Sequence, residues 1–261
     1  MIITTGPTGS GKTTALYAFL QQIHTSGIKI ITIEDPVEYK LDGIVQTQVG
    51  DDYTFASGLR SILRQDPDII MVGEIRDQET ASLAINAALT GHLVLSTLHT
   101  NSAAGAIPRF IEMGGEPFLI ASTLNVIVAQ RLVRKLAEEK EPYKLSQNNL
   151  KNLGTYCDLD RLTKFFKEEK IIKQQDTLLD VTFYKPKASK DVEDGYKGRI
   201  GIYEVLLVSE SIKALIVQKA TSDQIQKQAQ QEGMVTMVED GLMKAAQGIT
   251  SIEEILRVVS E

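Results

Sequence analysis

The chain has 261 residues, enough for one large domain or two smaller ones, and its net charge of −6 gives no basic balance that would suggest nucleic acid as the main partner. Its single cysteine, Cys157, excludes an internal disulfide framework and fits a reducing compartment. There is no apolar run of about 18 residues or more and no charged-then-apolar secretory leader, so the sequence predicts a cytoplasmic protein without a transmembrane segment.

A short strand, a glycine-rich loop and a helix open the chain. Residues 2–5 form an apolar strand pattern, and residues 6–13 match the Gly-x-x-x-x-Gly-Lys-Ser/Thr loop that holds nucleoside triphosphate phosphates. Glycines let successive N–H groups line an anion site, and the positive end of the following helix faces the phosphates. Lys12 can reach the β- and γ-phosphates, and Thr13 can ligate Mg²⁺. The predicted nucleotide contacts here are Gly6, Pro7, Thr8, Gly9, Ser10, Gly11, Lys12, Thr13 and Thr14.

The first 135 residues alternate between apolar, β-branched runs and helical patterns, which predicts an α/β fold with a parallel sheet between layers of helices. The strand candidates are nearly continuous apolar runs, as expected for strands buried on both faces. They are residues 2–5, 28–33, 69–72 and 93–97. The helix candidates are residues 12–25, 55–64, 78–89, 103–113 and 117–134.

The texture of the chain changes twice after this first region. Residues 136–194 are dense in charged and amide side chains and predict a small charged insertion with one or two helices. Residues 195–261 re-enter through a strand at 200–206 and continue as a helical C-terminal subdomain. Its amphipathic helix candidates are residues 209–219, 221–232, 234–247 and 251–259. We therefore predict a core at 1–135, an insertion at 136–194 and a C-terminal part at 195–261.

Carboxylates follow two of the predicted strands. Glu34, Asp35 and Glu38 follow the strand at 28–33, at the strand end where ligands sit in open α/β sheets. A carboxylate there can orient the attacking water or accept its proton, although a solvated acidic turn is the alternative. Glu74 ends the run at 69–72, where a second nucleotide motif holds Mg²⁺, while Gly73 occupies the position where many such motifs carry Asp.

Two histidines and two arginines are further candidates. His92 and His99 bracket the strand at 93–97, where a hydrogen bond to the γ-phosphate or to the next subunit competes with ordinary strand-end packing. A metal site is disfavoured there, because their spacing is not that of a helical ligand pair. Arg60 and Arg64 lie four apart on a predicted helix and can grip phosphate across a subunit boundary. A solvated helix face or a salt bridge to Asp66 or Asp68 is the alternative.

Four motifs in order resemble the secretion NTPases of type IV pili and type II secretion. They are the phosphate loop, an aspartate box at 33–38, a second nucleotide motif at 66–77 and a histidine box at 90–100. The resemblance continues through residues 129–134 and 195–206. It implies a RecA-like P-loop NTPase core working as a homohexamer, with ATP and Mg²⁺ at each site and an N-terminal domain that helps to close over the nucleotide. Since the loop begins at residue 6, we expect the chain to be a piece of a longer protein and a poor ATPase alone.

The resemblance also assigns roles to residues. Lys12 and Thr13 would bind phosphate and Mg²⁺, Glu38 would be the catalytic base, and Glu74 would be the acid of the second motif. His92 and His99 would be the histidine-box residues, with His99 counted among the catalytic ones. Arg60 and Arg64 match arginines that face phosphate or a neighbouring subunit.

The insertion departs from the family pattern. Extension and secretion ATPases usually carry two Cys-x-x-Cys pairs that make a structural zinc site, whereas retraction ATPases lack the segment. The corresponding positions here are Ala137, Lys140, Ala188 and Asp191, so we expect no structural zinc. We expect apolar contacts from Phe165, Phe166 and Leu178 to stabilise the segment instead.

The resemblance favours a hexameric ATPase motor that drives type IV pilus extension and docks on an inner-membrane platform protein, without direct contact to nucleic acid. Such a motor is cytoplasmic and associates peripherally with the inner face of the membrane. The alternatives are a type II secretion ATPase that drives pseudopilus assembly, a non-hydrolysing scaffold derived from such a motor, and a nucleic-acid motor on the same fold.

Overall fold

The computed structural model describes residues 1–189 and 192–260, which pack as two compact units. The first unit comprises Met1–Gln130 and Glu204–Met234, and the second comprises Arg131–Tyr203 and Val235–Glu261. The division predicted from the sequence, at 1–135, 136–194 and 195–261, concerns segments along the chain and stays a prediction.

The chain forms a mixed α/β fold up to its long sixth strand, as the alternating pattern predicts. Its elements in order are β1 (Ile2–Thr5), α1 (Lys12–Ile23), β2 (Ile30–Glu34), β3 (Val45–Gln48), α2 (Phe55–Ile62), β4 (Ile69–Val72), α3 (Gln78–Leu89), β5 (Leu93–Leu98), α4 (Ala106–Glu112), α5 (Pro117–Thr123) and β6 (Val126–Leu136). The remainder consists of β7 (Lys140–Lys144), α6 (Gln147–Leu153), α7 (Leu159–Glu168), a 3₁₀ turn at Leu178–Asp180, β8 (Thr182–Pro186), β9 (Tyr196–Leu207), α8 (Glu210–Val217), α9 (Ser222–Gln231), α10 (Met237–Ala246) and α11 (Ile252–Ser260).

A seven-stranded sheet has the strand order β3-β2-β4-β5-β1-β6-β9. Each neighbouring pair from β3 to β6 in this order is parallel. The central strands carry continuous apolar runs because both faces are covered, and the side chains of Ile31, Ile70 and Val94 are fully buried. Since parallel strands share one direction, the carboxyl ends of β1, β2, β4 and β5 lie along the same edge of the sheet.

Residues 117–134 were expected to form one helix, and that prediction is wrong. Helix α5 ends at Thr123, Leu124 is extended, and the chain continues as strand β6. The run Val126-Ile127-Val128 is β-branched and pairs in parallel with β1, so pairing in the sheet decides a pattern that periodicity alone leaves ambiguous. The polar strand β3 is not among the strands predicted from the sequence.

The second unit has its own apolar core. Phe166 of α7 and Phe183 of β8 are buried together with Leu162, Leu242 and Ile255. Strands β7 and β8 form a two-stranded antiparallel sheet in which Lys140 pairs with Pro186. As expected, Phe166 and Leu178 belong to this core, and Phe165 packs against it.

Two of the four positions that the resemblance matches to zinc ligands have other contacts in the described part of the chain. Lys140 donates its ammonium to the carbonyl of Gly248 at 2.6 Å. The backbone N–H of Ala137 donates to Gly195. Ala188 precedes the gap in the described residues, and Asp191 lies outside them. In the described part of the chain, no group of three or more His, Cys, Asp or Glu side chains is placed to hold a metal ion.

Candidate nucleotide site at the carboxyl edge of the sheet

The phosphate loop joins the end of β1 to the start of α1. Gly6, Gly9 and Gly11 all have positive φ, between 78° and 146°, a region that L side chains rarely adopt. At Gly6 a Cβ atom would also lie only 2.4 Å from the carbonyl oxygen of Gln130. Both the backbone conformation and the space therefore require glycine, and the loop brings its N–H groups to the positive end of helix α1.

Lys12 is the buried cation of this loop. Its side chain is almost entirely covered, and its ammonium donates to the carbonyls of Gly6 at 2.8 Å and Pro7 at 3.0 Å. Burial lowers the pKa of Lys12, while the negative charge of Glu74 acts in the opposite direction. The ammonium is thus held within the loop, close enough to Glu74 for the two charges to interact.

The hydroxyl of Ser10 is a second sign of an anion site. Its oxygen is buried and, among the described residues, has no hydrogen-bond partner. Buried polar groups are normally satisfied, so an unpaired hydroxyl in the phosphate loop fits a ligand that supplies the missing partner. Thr13 is half-buried in the first turn of α1 and Thr14 is exposed. Together with the lysine and the helix end, these groups fit a polyphosphate.

Glu74 lies two residues beyond β4, at the same edge of the sheet. Its carboxylate pairs with Arg76, which also lies 3.8 Å from Asp35, and its other oxygen lies 3.6 Å from Nε2 of His99. Burial and the positive charge of Lys12 lower the pKa of His99, although the negative charge of Glu74 acts in the opposite direction. Glu74 and His99, which were predicted from the ends of two separate strands, thus lie beside each other in the structure.

Gly73 is explained by crowding between β4 and β2. A Cβ atom at this position would lie 3.2 Å from both the Cα of Glu34 and the carbonyl oxygen of Ile33. The N–H of Gly73 donates to Ile33 at 2.7 Å, which holds the two backbones together. A side chain is thus disfavoured at Gly73, which leaves the acidic role of this motif to Glu74.

The two glutamates of the aspartate box occupy different environments. Glu34 is 1% exposed and accepts hydrogen bonds from Thr32 at 2.5 Å, Gln46 at 3.2 Å and the hydroxyl of Tyr17. Glu38 is exposed in the segment after β2, and its backbone N–H donates to the Tyr17 hydroxyl at 3.3 Å. The structure therefore separates a buried, fully bonded carboxylate from an accessible one.

His92 is not brought to this edge of the sheet. It precedes β5, at the amino end of the strand whose carboxyl end leads to His99. Seven residues of extended chain span roughly 23 Å, so the two histidines cannot share one site within the chain. The Nδ1 atom of His92 lies 2.9 Å from the carbonyl oxygen of Ala87 and 3.1 Å from the hydroxyl of Thr90.

The contacts described for Arg60 and Arg64 do not involve the phosphate loop. Arg60 on α2 pairs with Glu79 in the first turn of α3. Helix α2 ends at Ile62, so Arg64 lies exposed in the following turn rather than on the same helical face. Asp68, one of the predicted partners, instead accepts the backbone N–H of Lys29 at 2.7 Å. Contact of either arginine with nucleotide stays a prediction.

Sequence reasoning missed four residues that contact the site acids: Tyr17, Thr32, Gln46 and Arg76. Arg76 lies within the second nucleotide motif at 66–77, two residues after Glu74, and its charge could have indicated a contact with that carboxylate. Tyr17 looks like any aromatic residue on the buried face of a helix, and Gln46 belongs to the strand that the sequence did not indicate.

The parallel sheet, the glycine loop at its edge and the acids on adjacent strands define a RecA-like P-loop NTPase fold. The profile of one protein family, described as "Type II/IV secretion system protein", matches residues 1–257. The chain belongs to this family, and the resemblance inferred from its motifs is confirmed.

Curated relatives and solved structures agree with this assignment. The type II secretion system protein E of Xanthomonas campestris is 49% identical over 266 residues, covering 100% of this chain and 44% of that protein. The type II secretion system ATPase E of Vibrio cholerae is 48% identical over 264 residues, covering 100% and 48%. The type IV pilus assembly ATPase PilB of Pseudomonas aeruginosa is 45% identical over 266 residues, covering 100% and 44%. The chain thus spans about half the length of these relatives.

Among solved structures, the pilus retraction motor PilT with bound ADP is 29% identical with a TM-score of 0.67, covering 98% of this chain and 60% of that one. The ATPase DotB of Legionella pneumophila is 26% identical with a TM-score of 0.65, covering 99% and 59%. None of the helices that the structure describes combines the length and apolar character needed to cross a bilayer.

Proposed function

We propose that this chain binds ATP at the loop of residues 6–13 and hydrolyses it in a motor that assembles pilin-like filaments. The observation that carries the proposal is the buried ammonium of Lys12, held inside a glycine loop at the start of α1 and within electrostatic reach of Glu74. Relatives that cover the whole chain are named as ATPases of type II secretion and of type IV pilus assembly.

The donor set supports Mg²⁺ as the accompanying ion. Thr13 offers a hydroxyl and Glu74 a carboxylate, both hard oxygen ligands, and Mg²⁺ is usually held by one or two protein oxygens together with substrate phosphates. When bound, the ion would offset the negative charge of the phosphates. The ion pair with Arg76 would help to orient the carboxylate of Glu74 for this task.

Glu38 is the group that we assign as the base. Proton transfer needs an acceptor with free lone pairs that water can approach. Glu38 is exposed beyond the carboxyl end of β2, whereas Glu34 is buried and already accepts three donors. Glu34 is therefore proposed to be an anchor of the site, and Glu38 the residue that orients or deprotonates the attacking water.

The assembly and its setting are part of the same proposal. We propose a homohexamer that docks on an inner-membrane platform protein and stays on the cytoplasmic side, with Arg60, Arg64 and His92 available to a neighbouring subunit. Pilus extension was the first expectation from the sequence. The relatives fit both this expectation and the type II secretion alternative, since three type II secretion E proteins are 44%, 48% and 49% identical and PilB of Pseudomonas aeruginosa is 45% identical. A net charge of −6 argues against a nucleic-acid motor.

Replacing Lys12 tests the site in the full-length protein. Lys12→Ala removes the cation that the loop directs at the phosphates, so we expect ATP binding to weaken and kcat to fall by about 10²-fold or more. Phosphate release and fluorescent-nucleotide titration measure the two effects. The matched control is Lys151→Ala, an exposed lysine of α6 in the second unit, which should retain turnover.

Wild-type turnover in the Lys12→Ala protein would refute the assignment of the loop. A wild-type protein that binds ATP without hydrolysing it would instead favour the non-hydrolysing scaffold. Turnover that depends on added DNA would favour the nucleic-acid motor.

A further inference from the structure

We propose that Tyr17 is a positioning residue for Glu38 and that it acts with Gln46 through the backbone of the segment carrying this glutamate. The inference rests on the proposed hydrolysis, because it concerns how the base is held. Tyr17 lies on the buried face of α1 and is fully covered.

The phenol of Tyr17 uses its whole hydrogen-bonding capacity at this place. A hydroxyl offers one donor and two acceptor sites. The Tyr17 hydroxyl donates to the buried carboxylate of Glu34 and accepts from the N–H of Glu38 and from Nε2 of Gln46, both at 3.3 Å. Burial, followed by the contact with Glu34, raises the pKa of Tyr17, so the phenol stays protonated and keeps donating.

Side chains of strand β3 bond to the same segment. Gln46 accepts from the N–H of Leu41 at 2.7 Å, and the two hydrogens of its amide nitrogen are shared among the Tyr17 hydroxyl, Glu34 and the carbonyl of Tyr39, at 3.1 to 3.3 Å. Gln48 accepts from the N–H of Val37 at 3.2 Å. The backbone on either side of Glu38 is therefore fixed by side-chain amides, and the N–H of Glu38 itself is fixed by Tyr17.

Helix α1 makes this arrangement relevant to the phosphates. The helix begins at Lys12 and carries Tyr17 less than two turns later, within one rigid element. Helix α1 and the phenol of Tyr17 thus link the phosphate loop to the segment of Glu38. Tyr39 adds an edge-to-face contact, its ring lying 4.7 Å from that of Tyr17 at 80°.

The exposed side chain of Glu38 has no comparable restraint of its own, so its position depends on this backbone. A general base must lie within about 2.6–3.2 Å of the proton it accepts, and a misplacement of about 1 Å can cost on the order of 10²-fold in rate. Loss of the phenol should therefore lower kcat more than it weakens ATP binding.

Tyr17→Phe in the full-length protein is the test, with Tyr39→Phe as the matched control. Both variants lose one hydroxyl from adjacent rings, but the described contacts of Tyr39 involve its ring and its carbonyl. We expect Tyr17→Phe to lower kcat by about 10-fold or more with KM for ATP within about twofold, and Tyr39→Phe to behave as the wild type. Hydrogen exchange of the peptide at residues 37–41 should speed up only in Tyr17→Phe.

A double-mutant cycle separates positioning from general damage to the fold. If Tyr17 acts through Glu38, adding Tyr17→Phe to Glu38→Gln should produce little further loss, whereas independent damage would add. Should Tyr17→Phe fail to fold, Gln46→Ala removes the other hydrogen bonds to the same segment from a half-buried residue of β3. It must then give the same loss of kcat and of amide protection.

Unchanged exchange at 37–41 would overturn the contact itself, whether or not the protein hydrolyses ATP. Faster exchange with unchanged kcat would overturn the positioning role and leave the proposed function intact. A wild-type protein without ATPase activity would overturn the hydrolytic proposal and the positioning role together. The exchange measurement alone tests only the contact between Tyr17 and the segment.

Discussion

At the scale of single residues, Glu34 and Glu38 show how burial and solvation give two nearby acids different roles. Glu34 has become part of the protein interior, where its charge is matched by three donors. A buried carboxylate without such donors would carry a large desolvation cost. Glu38 needs no such compensation because water solvates it, which leaves its lone pairs available for chemistry.

Glu38→Gln should leave ATP binding largely intact while kcat falls by about 10²-fold or more, since the amide cannot accept the proton from water. The measurement is steady-state ATPase activity of the full-length protein, paired with nucleotide titration. Asp42→Asn is the matched control, because it makes the same change at an exposed acid four residues further along the chain. Normal hydrolysis by Glu38→Gln would place the base elsewhere, with Glu34 the next candidate.

The residues that the sequence could predict are those that follow strands. Glu74 and His99 each follow a strand within two residues, and parallel pairing of the strands then brings them to one edge. His92 shows the limit of that reasoning, since a residue before a strand lies at the opposite edge. The partners Tyr17 and Gln46 could not be found, because their roles depend on long-range contacts, across 21 residues in one case and 29 in another.

At the scale of elements, length and pairing decide what periodicity cannot. Helix α3 has the bounds that the sequence predicts, and Asp77 caps it by accepting the N–H of Thr80 at 2.8 Å. The end of the predicted helix at 117–134 is a strand instead, because residues 126–129 pair with β1 in the sheet. The sequence pattern did not predict strand β3, because Gln46, Thr47 and Gln48 leave it without an apolar run.

In the second unit, strand β6 and helix α11 are joined through one buried carboxylate. Glu254 accepts from the backbone and guanidinium of Arg134, at 3.0 Å and 2.8 Å, and from Arg257. Burial by itself would raise the pKa of Glu254, but the hydrogen bonds from Arg257 and Arg134 outweigh it and lower the pKa to about 2. The ordinary value is 4.5, so the folded state holds this carboxylate charged over a wider pH range.

This shift predicts how the stability of the fold depends on pH. Because the folded pKa lies below the unfolded one, the contribution of Glu254 is complete above about pH 4.5 and is lost as the pH falls towards 2. By linkage it is worth about 3 kcal/mol. Urea unfolding at a series of pH values should show that Glu254→Gln is less stable than the wild type at pH 7 and that the two converge near pH 2.

The neighbouring exposed acid provides the control for that measurement. Glu253→Gln changes the same chemical group one residue earlier on α11, and its stability should follow the wild type at every pH. A constant difference between Glu254→Gln and the wild type from pH 7 to 2 would show that the variant loses packing rather than a charged hydrogen-bond network.

At the scale of the whole molecule, the insertion raises the question of what holds a small charged segment in place. Below a certain size a segment cannot bury enough apolar surface by itself, which is why small domains often depend on zinc. Here the side chains of Leu162, Phe166 and Phe183 are buried together with Leu242 and Ile255 from the C-terminal helices. The segment therefore shares a core with residues far away in the sequence, which its own composition could not indicate.

Cys157 gives the insertion little metal-binding character. Burial, aided by the charges of Glu239 and Asp158, raises the pKa of its thiol to about 12, so the thiolate that zinc requires is scarce at neutral pH. Lys140 brings a positive charge to one of the positions where the family places a ligand, and it is already bonded to Gly248.

We therefore predict that the purified protein carries no stoichiometric zinc and that EDTA leaves its melting temperature unchanged in the absence of nucleotide. Structural zinc contributes folding free energy outright, so a chain that relied on it would melt earlier with chelator. Phe166→Ala should instead lower the free energy of unfolding by about 3–5 kcal/mol, because it opens a cavity in the core of the second unit. Elemental analysis that finds one tightly bound zinc per chain would overturn both the alignment of the insertion and the account of its stability. Zinc binding there would require the ammonium of Lys140 to leave its bond with Gly248 and the thiol of Cys157 to lose its proton.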